Sequence, residues 1–395
     1  MASTSQKFIV AAVRIAIVTN NFPAISETFI SNKVLQLAAK KHALFVFCSF
    51  FNKPLWNKIN HTNYKINVVE INRKKITKYF FSHPALWIAF LKMHSNKTRF
   101  ILNNFFINEV NKKKPDIIHF EFSGIGLHYI DALEKIKCKK IVSCRGSAEK
   151  VKLLSDELRK EKTKQLFNAV DAIHCVSDDM KQTILPYCNQ PQKIFINYPA
   201  VDTAVFQRSH PYITHHPINI LSVGRFTFQK GYLSGLLAIK KLKETQQNFQ
   251  WLIVGDGNQK EEIIFHINQM NLQQQVQLVG TKSRSEIIEL YNQSDIFFLP
   301  SVYEGIANVA LEAMSMELPV IATRSGGMKE VIAHKINGML ANVYNHETLA
   351  ANLLQLFNDK ALRISLGKNA RKRVLEQFTA EAQIKKFEAV YSALI

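Results

Sequence analysis

Residues 249–280, FQWLIVGDGNQKEEIIFHINQMNLQQQVQLVG, pass from an apolar run through a glycine turn and a charged segment to a second apolar run. "FQWLIVGDG" (249–257) and "VQLVG" (276–280) are short and rich in β-formers, while "NQKEEI" between them reads as the start of a helix. A strand with one wet face alternates polar and apolar residues. A strand that is apolar almost throughout is covered on both faces, which is the habit of parallel sheets. The stretch therefore predicts strand, glycine turn, helix, strand: one unit of an α/β sheet.

The same alternation extends in both directions. "INILSVGRF" (218–226), "DIFFLPS" (295–301) and "PVIATRSGG" (319–327) are further strands of the second half. In the first half, "RIAIVTN" (14–20) leads to the helix-like "ETFISNKVLQLAAKK". "ALFVFCSF" (43–50), "DIIHFE" (116–121), "KIVSCRG" (140–146), "VDAIHCVS" (170–177) and "KIFINYP" (193–199) follow. Two such sets in tandem predict two doubly wound domains, joined near 199–216 where periodicity is lost. A chain of 395 residues is also too long for one ordinary core. In open α/β sheets ligands bind outside the carboxyl ends of the strands, so the chemistry is sought there.

The composition, 47% hydrophobic and 21% charged, is that of a folded protein. Net charge is +20, and residues 1–200 hold 31 basic against 14 acidic side chains, a surplus of 17. The first half is thus the part predicted to face something anionic. Five cysteines, at 48, 138, 144, 175 and 188, form no C-x-x-C pair, which favours reduced thiols in a cytosolic compartment over a disulfide framework or a zinc site. The apolar opening "FIVAAVRIAIV" is broken by Arg14 and reads as an approach and a first buried strand rather than a signal peptide. No apolar run reaches the roughly 18 residues of a membrane span.

"LSVGRFTFQKG" (221–231) places Arg225 and Lys230 on a glycine-flexed turn after a strand. Two cations there suit a diphosphate, or form a solvated surface turn. "SVYEGIANVALEAMSMELPVIATRSGGMKEVI" (301–332) sets Glu304 at the mouth of a loop and Glu312 inside the helix that follows, around 308–316. Gly305 and Asn308 permit the turn, and the helix start presents free N–H groups to phosphate. Carboxylates accept from paired hydroxyls, so Glu304 suits a sugar and Glu312 a ribose; an exposed helix with routine glutamates is the other reading. Glu304, as a polar loop position, is expected to be replaceable at little cost in stability. Neither G-x-G-x-x-G nor the P-loop pattern occurs; "GIGLHY" (124–129) lacks its third glycine.

These segments, in this order and spacing, resemble the family 4 retaining glycosyltransferases, and "NNFPAISETFI" (20–30) resembles the amino-terminal loop of their exopolysaccharide and lipopolysaccharide branch. The resemblance implies the GT-B fold: two facing Rossmann-like domains with the active site in the cleft. It implies an acceptor-binding domain over 1–205, a nucleotide-sugar domain over 206–378, and a terminal helix over 379–395 that packs back on the first domain. Glu304 and Glu312 match the family's E-x7-E motif, Glu304 on the transferred sugar and Glu312 on the ribose. Arg225 and Lys230 would neutralise the departing diphosphate, with Gly305, Ile306 and Asn308 at the helix tip and Gly280 beside the base. The donor would be a UDP- or GDP-sugar, with no further cofactor. The acceptor would be lipid-linked or an oligosaccharide.

The first half departs from the family pattern. His119 matches the first of a strand-end histidine pair and Glu121 replaces the second; Arg145 stands where a histidine is usual. His119 is then a catalytic candidate or a satisfied core histidine. Ser26, Glu27, Glu121 and Arg145 are acceptor or auxiliary candidates, Arg145 gripping an anion or pairing with Glu149. No D-x-D metal clamp occurs, so cationic side chains are expected to stabilise the leaving group without a divalent metal.

Residues 72–114 hold ten Lys/Arg and one acid, Glu109, interleaved with "YFF", "ALWIAFL" and "FILNNFF". That mixture suits an anionic membrane surface, hence a peripheral place on the inner face of the cytoplasmic membrane, or else a helical face packed on the domain core. A nucleic-acid or polyanion binder, and a catalytically silent glycan-binding subunit, are the competing function classes. The first leaves the paired cations and glutamates unexplained and lacks any nucleic-acid motif, so no specific nucleic-acid partner is expected; the intact E-x7-E opposes the second.

Overall fold

A computed structural model of the chain describes residues 12–24, 27–93 and 96–395. The start of the apolar opening, and Ser26 in the amino-terminal loop, lie outside the described residues. The chain divides into two compact units, one of residues 1–175, 181–197 and 384–395, the other of residues 176–180 and 198–383.

The first unit carries strands β1 (Arg14–Val18), β2 (Asn21–Phe22), β3 (Ala43–Cys48), β4 (Phe50–Phe51), β5 (Asn67–Glu70), β6 (Ile117–Phe120), β7 (Lys139–Cys144), β8 (Ala172–Cys175) and β9 (Ile194–Ile196). Seven of them form one sheet in the order β5-β3-β1-β6-β7-β8-β9; β2 and β4 pair separately. Every pairing is parallel. The inward residues Ile15, Ile17, Val46, Ile117 and Ile141 are buried against Ile384, Phe387 and Tyr391 of the terminal helix Ala380–Leu394. β5, absent from the sequence reading, is a four-residue edge strand with polar ends, too short to register as an apolar run.

The second unit carries β10 (Ile218–Val223), β11 (Phe249–Val254), β12 (Val276–Gly280), β13 (Ile296–Leu299), β14 (Val320–Thr323) and β15 (Met339–Ala341). They form a parallel sheet in the order β12-β11-β10-β13-β14-β15. The quoted stretch is β11, the helix Lys260–Gln269 and β12, as its pattern predicts. β15, only three residues long at the edge, was not anticipated.

Each sheet reverses direction once. In the first unit the chain runs outward from β1 through β3 to β5, then returns to β6 on the other side of β1. In the second it runs outward from β10 to β12 and returns to β13 on the other side of β10. Loops leaving the two strands beside such a reversal diverge and leave a crevice between them, so ligands favour that point. The loops in question follow β1 and β6 in one unit, and β10 and β13 in the other.

Candidate active site

In the second unit the loop after β10 spans Gly224–Gly231 and ends in the short turn Phe228–Lys230 before the helix Tyr232–Lys243. The loop after β13 runs from Pro300 to Ala307, and the helix Asn308–Ser315 follows. One backbone bond joins them, Val302 N–H donating to the Gln229 carbonyl at 2.7 Å. Across this junction Lys230 Nζ donates to Glu304 Oε1 at 2.7 Å, and Ser301 Oγ donates to the same oxygen at 2.8 Å. Both donors fall on Oε1. Oε2 carries no hydrogen bond to another described residue, which leaves it able to accept from an incoming hydroxyl.

Glu304 is buried, contrary to its reading as a freely replaceable loop position. The reason lies beneath the loop. Gly326, in the left-handed region at φ +54°, passes so close that a methyl group there would sit 1.8 Å from the Glu304 carbonyl oxygen. Gly327 N–H donates to the Gly305 carbonyl at 2.9 Å. Thr323 Oγ1 donates to the Ser301 carbonyl at 2.5 Å. The glycine pair of "TRSGG" is thus the floor of the Glu304 loop, a role the sequence reading did not assign although the residues were in view.

Glu312 lies in the helix Asn308–Ser315, within reach of Tyr291, whose hydroxyl is 3.1 Å from both Glu312 Oε2 and the Val309 carbonyl. Burial pushes the Glu312 carboxyl up to about 7, against smaller downward pulls from Tyr291 and Arg284. When protonated, Glu312 donates to the Tyr291 oxygen and Tyr291 donates to Val309, so every proton is used. Asn308 is the first residue of this helix, Ala307 supplies no side-chain cap, and Ile306 is buried. Arg225 is exposed, with no ion pair to another described residue. Gly280 ends β12 at φ +72° and faces open space. A pocket of about 330 Å³ lined by Phe228, Tyr232, Leu236, Ile263, Val302 and Tyr344 includes none of Arg225, Lys230, Glu304 or Glu312.

In the first unit the candidates meet a different fate. His119 is fully buried on β6, and both ring nitrogens are engaged. A chain of bonds sets its tautomer: His174 Nε2–H donates to the Asn197 carbonyl at 2.8 Å, so His174 Nδ1 accepts from Ser143 Oγ. Ser143 Oγ then accepts from His119 Nε2–H, and His119 Nδ1 accepts from Lys33 at 3.0 Å and Tyr391 at 2.8 Å. Burial, then the neighbouring Lys33 and Arg145 charges, hold the His119 pKa well below its ordinary value. His119 is therefore a neutral core histidine, and a catalytic role does not fit this position.

Glu121 is also fully buried, its carboxylate taking Lys33 Nζ on Oε1 and Arg145 Nη2 on Oε2, both at 2.6 Å. These two cations outweigh burial and hold the Glu121 carboxyl down at about 2. Arg145 pairs with Glu121 and not with Glu149, which instead accepts from Ser123 and from Gly146 N–H. Glu27 precedes the helix Thr28–Ala39 without a side-chain capping bond. Lys33, the keystone of this cluster, was missed because it sits mid-helix with no motif around it. All five cysteines are free thiols, and among the described residues no three His, Cys, Asp or Glu side chains form a possible metal site.

Comparison with known proteins bears on these findings. Residues 26–205 match the family described as Glycosyltransferase Family 4, and residues 207–373 that described as Glycosyl transferases group 1. The amylovoran biosynthesis glycosyltransferase AmsK of Erwinia amylovora is 27% identical over 268 residues, 66% of this chain and 66% of that protein. The chain thus spans about two thirds of that relative's length. An uncharacterized glycosyltransferase of Methanocaldococcus jannaschii is 25% identical over 347 residues, covering 82% of this chain and 85% of its own. Among solved structures, Anabaena HepE in complex with UDP and glucose superposes with a TM-score of 0.79 at 15% identity, covering 97% of this chain and 100% of that one.

Proposed function

Since this chain belongs to the group 1 and family 4 glycosyltransferases and has the GT-B fold, we propose that it is a retaining, metal-independent enzyme of surface-polysaccharide synthesis. It takes a sugar from a nucleoside-diphosphate donor and passes it to a lipid-linked or nascent polysaccharide acceptor. One observation carries the reading: Lys230 and Ser301 both donate to a single carboxylate oxygen of Glu304 at the reversal of the second sheet, beside an uncapped helix start. A cation and free N–H groups suit the diphosphate, and the unused Glu304 oxygen suits a sugar hydroxyl. UDP is the preferred nucleotide, because HepE was solved with UDP and glucose on the same fold.

In the step we envisage, the bond from sugar C1 to the phosphate oxygen breaks and its electron pair leaves with the phosphate. The acceptor oxygen bonds to C1 on that same face, so configuration is kept, and the acceptor proton passes to the departing phosphate oxygen. Arg225 and Lys230 stabilise the charge that develops on the leaving group. Glu304 orients the sugar and Glu312 holds the ribose diol.

The acceptor's lipid anchor would be met by the basic segment of the first unit. The helices Arg73–Phe81 and Pro84–Lys92 contain no buried residue, and Phe81, Ile88 and Leu91 are 64%, 62% and 75% exposed. An apolar helix flanked by lysines and left uncovered fits the interface of an anionic bilayer, and it supports our reading of a peripheral enzyme on the inner face of the cytoplasmic membrane. Among the described residues no helix is long and apolar enough to cross a membrane.

The decisive experiment is a thermal-shift and calorimetric screen against UDP, GDP and ADP and their sugar conjugates, with and without EDTA. A rise of several degrees for UDP and UDP-sugars, unchanged by EDTA, is expected. No shift for any nucleotide would remove the donor reading, and loss of the shift in EDTA would remove metal independence.

A further inference from the structure

The cluster at the reversal of the first sheet sets two cations on one carboxylate. Glu121 follows β6, the residue beyond Phe120, and Arg145 follows β7; Thr19 follows β1 and stands level with Glu121 because Val18 pairs with Phe120. Two cations, Lys33 and Arg145, share the single Glu121 carboxylate. Among the described residues no second carboxylate pairs with either cation. His119 and His174 are locked neutral by the bonds that end on the Asn197 carbonyl. Burial holds the Tyr391 phenol well above its ordinary value, so it stays protonated. Glu149 turns instead to Ser123 and to Gly146 N–H. Lys33, lowered to about 8 chiefly by burial, still carries its proton at neutral pH.

The cluster is nearly closed to water, and the three side chains differ in how they meet solvent. The Lys33 and Glu121 side chains are 2% and 0% exposed; Arg145 is 12% exposed. Lys33 is spent on Glu121, His119 and the face of Phe387, 4.2 Å from its ring centre. Arg145 uses its Nε–H on the Glu121 carbonyl and one Nη2–H on the carboxylate, which leaves three of the five guanidinium N–H groups. Its plane is braced over Phe29 at 4.4 Å. Thr19 Oγ1, buried on the neighbouring strand end, has no hydrogen-bond partner among the described residues.

We propose that Arg145, held rigid by Glu121 and Phe29, binds an oxyanion on the acceptor, a phosphate or a sugar carboxylate, with Thr19 as an accessory donor. An arriving anion takes the unused guanidinium hydrogens in the forked geometry that suits such groups. Lys33 and Glu121 are positioning residues. This inference names the acceptor's chemistry and so rests on the transferase reading above.

The test is calorimetric titration with inorganic phosphate and, separately, with glucuronate. It is run on the R225A/K230A double variant, which removes the cations proposed for the donor diphosphate in the other unit, and on the triple variant that adds R145Q. Either anion should bind the double variant, and adding R145Q to it should weaken that binding at least tenfold; preference for phosphate indicates a lipid phosphate, preference for glucuronate a uronic acid. R145K, which keeps the charge and loses the fork, should recover only part of the affinity and serves if R145Q does not fold. Equal binding by the double and triple variants, or no binding of either anion by the double variant, overturns the proposal. UDP binding, measured on the wild-type protein, reports separately on the donor reading.

Discussion

At the scale of single residues, Glu304 shows why a motif position cannot be costed from its loop alone. It is buried and shared by Lys230 and Ser301, so Glu304→Ala strands an ammonium that is only 14% exposed. Transfer should fall by about 10²-fold or more, and stability should drop by roughly 1–3 kcal/mol. Glu304→Gln keeps the shape and should recover much of the stability but little activity; denaturant titration and turnover assays check both. Glu312 supplies a pH signature. Its folded carboxyl titrates near 7, above the ordinary range of an unfolded chain, so the native state binds the extra proton. The stabilisation this gives is complete below the unfolded value and is lost as pH rises through 7, on the order of 1–3 kcal/mol. Ribose hydroxyls donate to a carboxylate, so uridine nucleotide binding should strengthen from pH 6 to pH 8. In Glu312→Gln both trends should flatten; an unchanged slope in that variant would separate Glu312 from the ribose.

At the scale of elements, the candidate site of the second unit is built by loops from two strands that meet beside a sheet reversal. In the second unit β10 and β13 deliver Lys230 and Glu304, and the turn after β14 underlies them. That floor is backbone on backbone. Gly326→Ala must push the Glu304 carbonyl aside and strain a left-handed residue, so it should cost about 1–3 kcal/mol. A shift of about 1 Å in Glu304 should then lower turnover about 10²-fold with a smaller change in nucleotide affinity. Wild-type turnover in Gly326→Ala would show that the loop position is not set by this contact. In the first unit the terminal helix Ala380–Leu394 is part of the core, since Phe387 and Tyr391 close over Lys33 and His119.

For the whole molecule the governing quantity is the asymmetry of charge. The surplus of 17 positive charges in residues 1–200 leaves the remaining 195 residues close to balance, within a total of +20. Attraction between such a surface and anionic lipid is screened within about 10 Å at 0.1 M salt. Sedimentation with phosphatidylglycerol vesicles should therefore be strong at low salt and weaken as salt rises. Replacing Ile88 and Leu91 by Ser should weaken it at every salt concentration, because the apolar contribution is not screened. Failure to bind the vesicles at low salt would remove the membrane reading.

The sequence by itself determined the parallel strands, the two sheets in tandem and the loops that carry Arg225, Lys230, Glu304 and Glu312. All of these are written locally, as apolar runs of strand length, glycine turns and a fixed carboxylate spacing. What those side chains touch was decided only by tertiary structure. Lys33 meets Glu121 across 88 positions, and His119 meets Tyr391 across 272. Ser301 and Tyr291 join the two glutamates, and Arg145 chooses Glu121 over Glu149, only once strand order brings them together. The physical reason is that burial and ion pairing depend on which strand ends become neighbours in the sheet, and that order follows from the packing of whole elements rather than from any pattern along a few residues of chain.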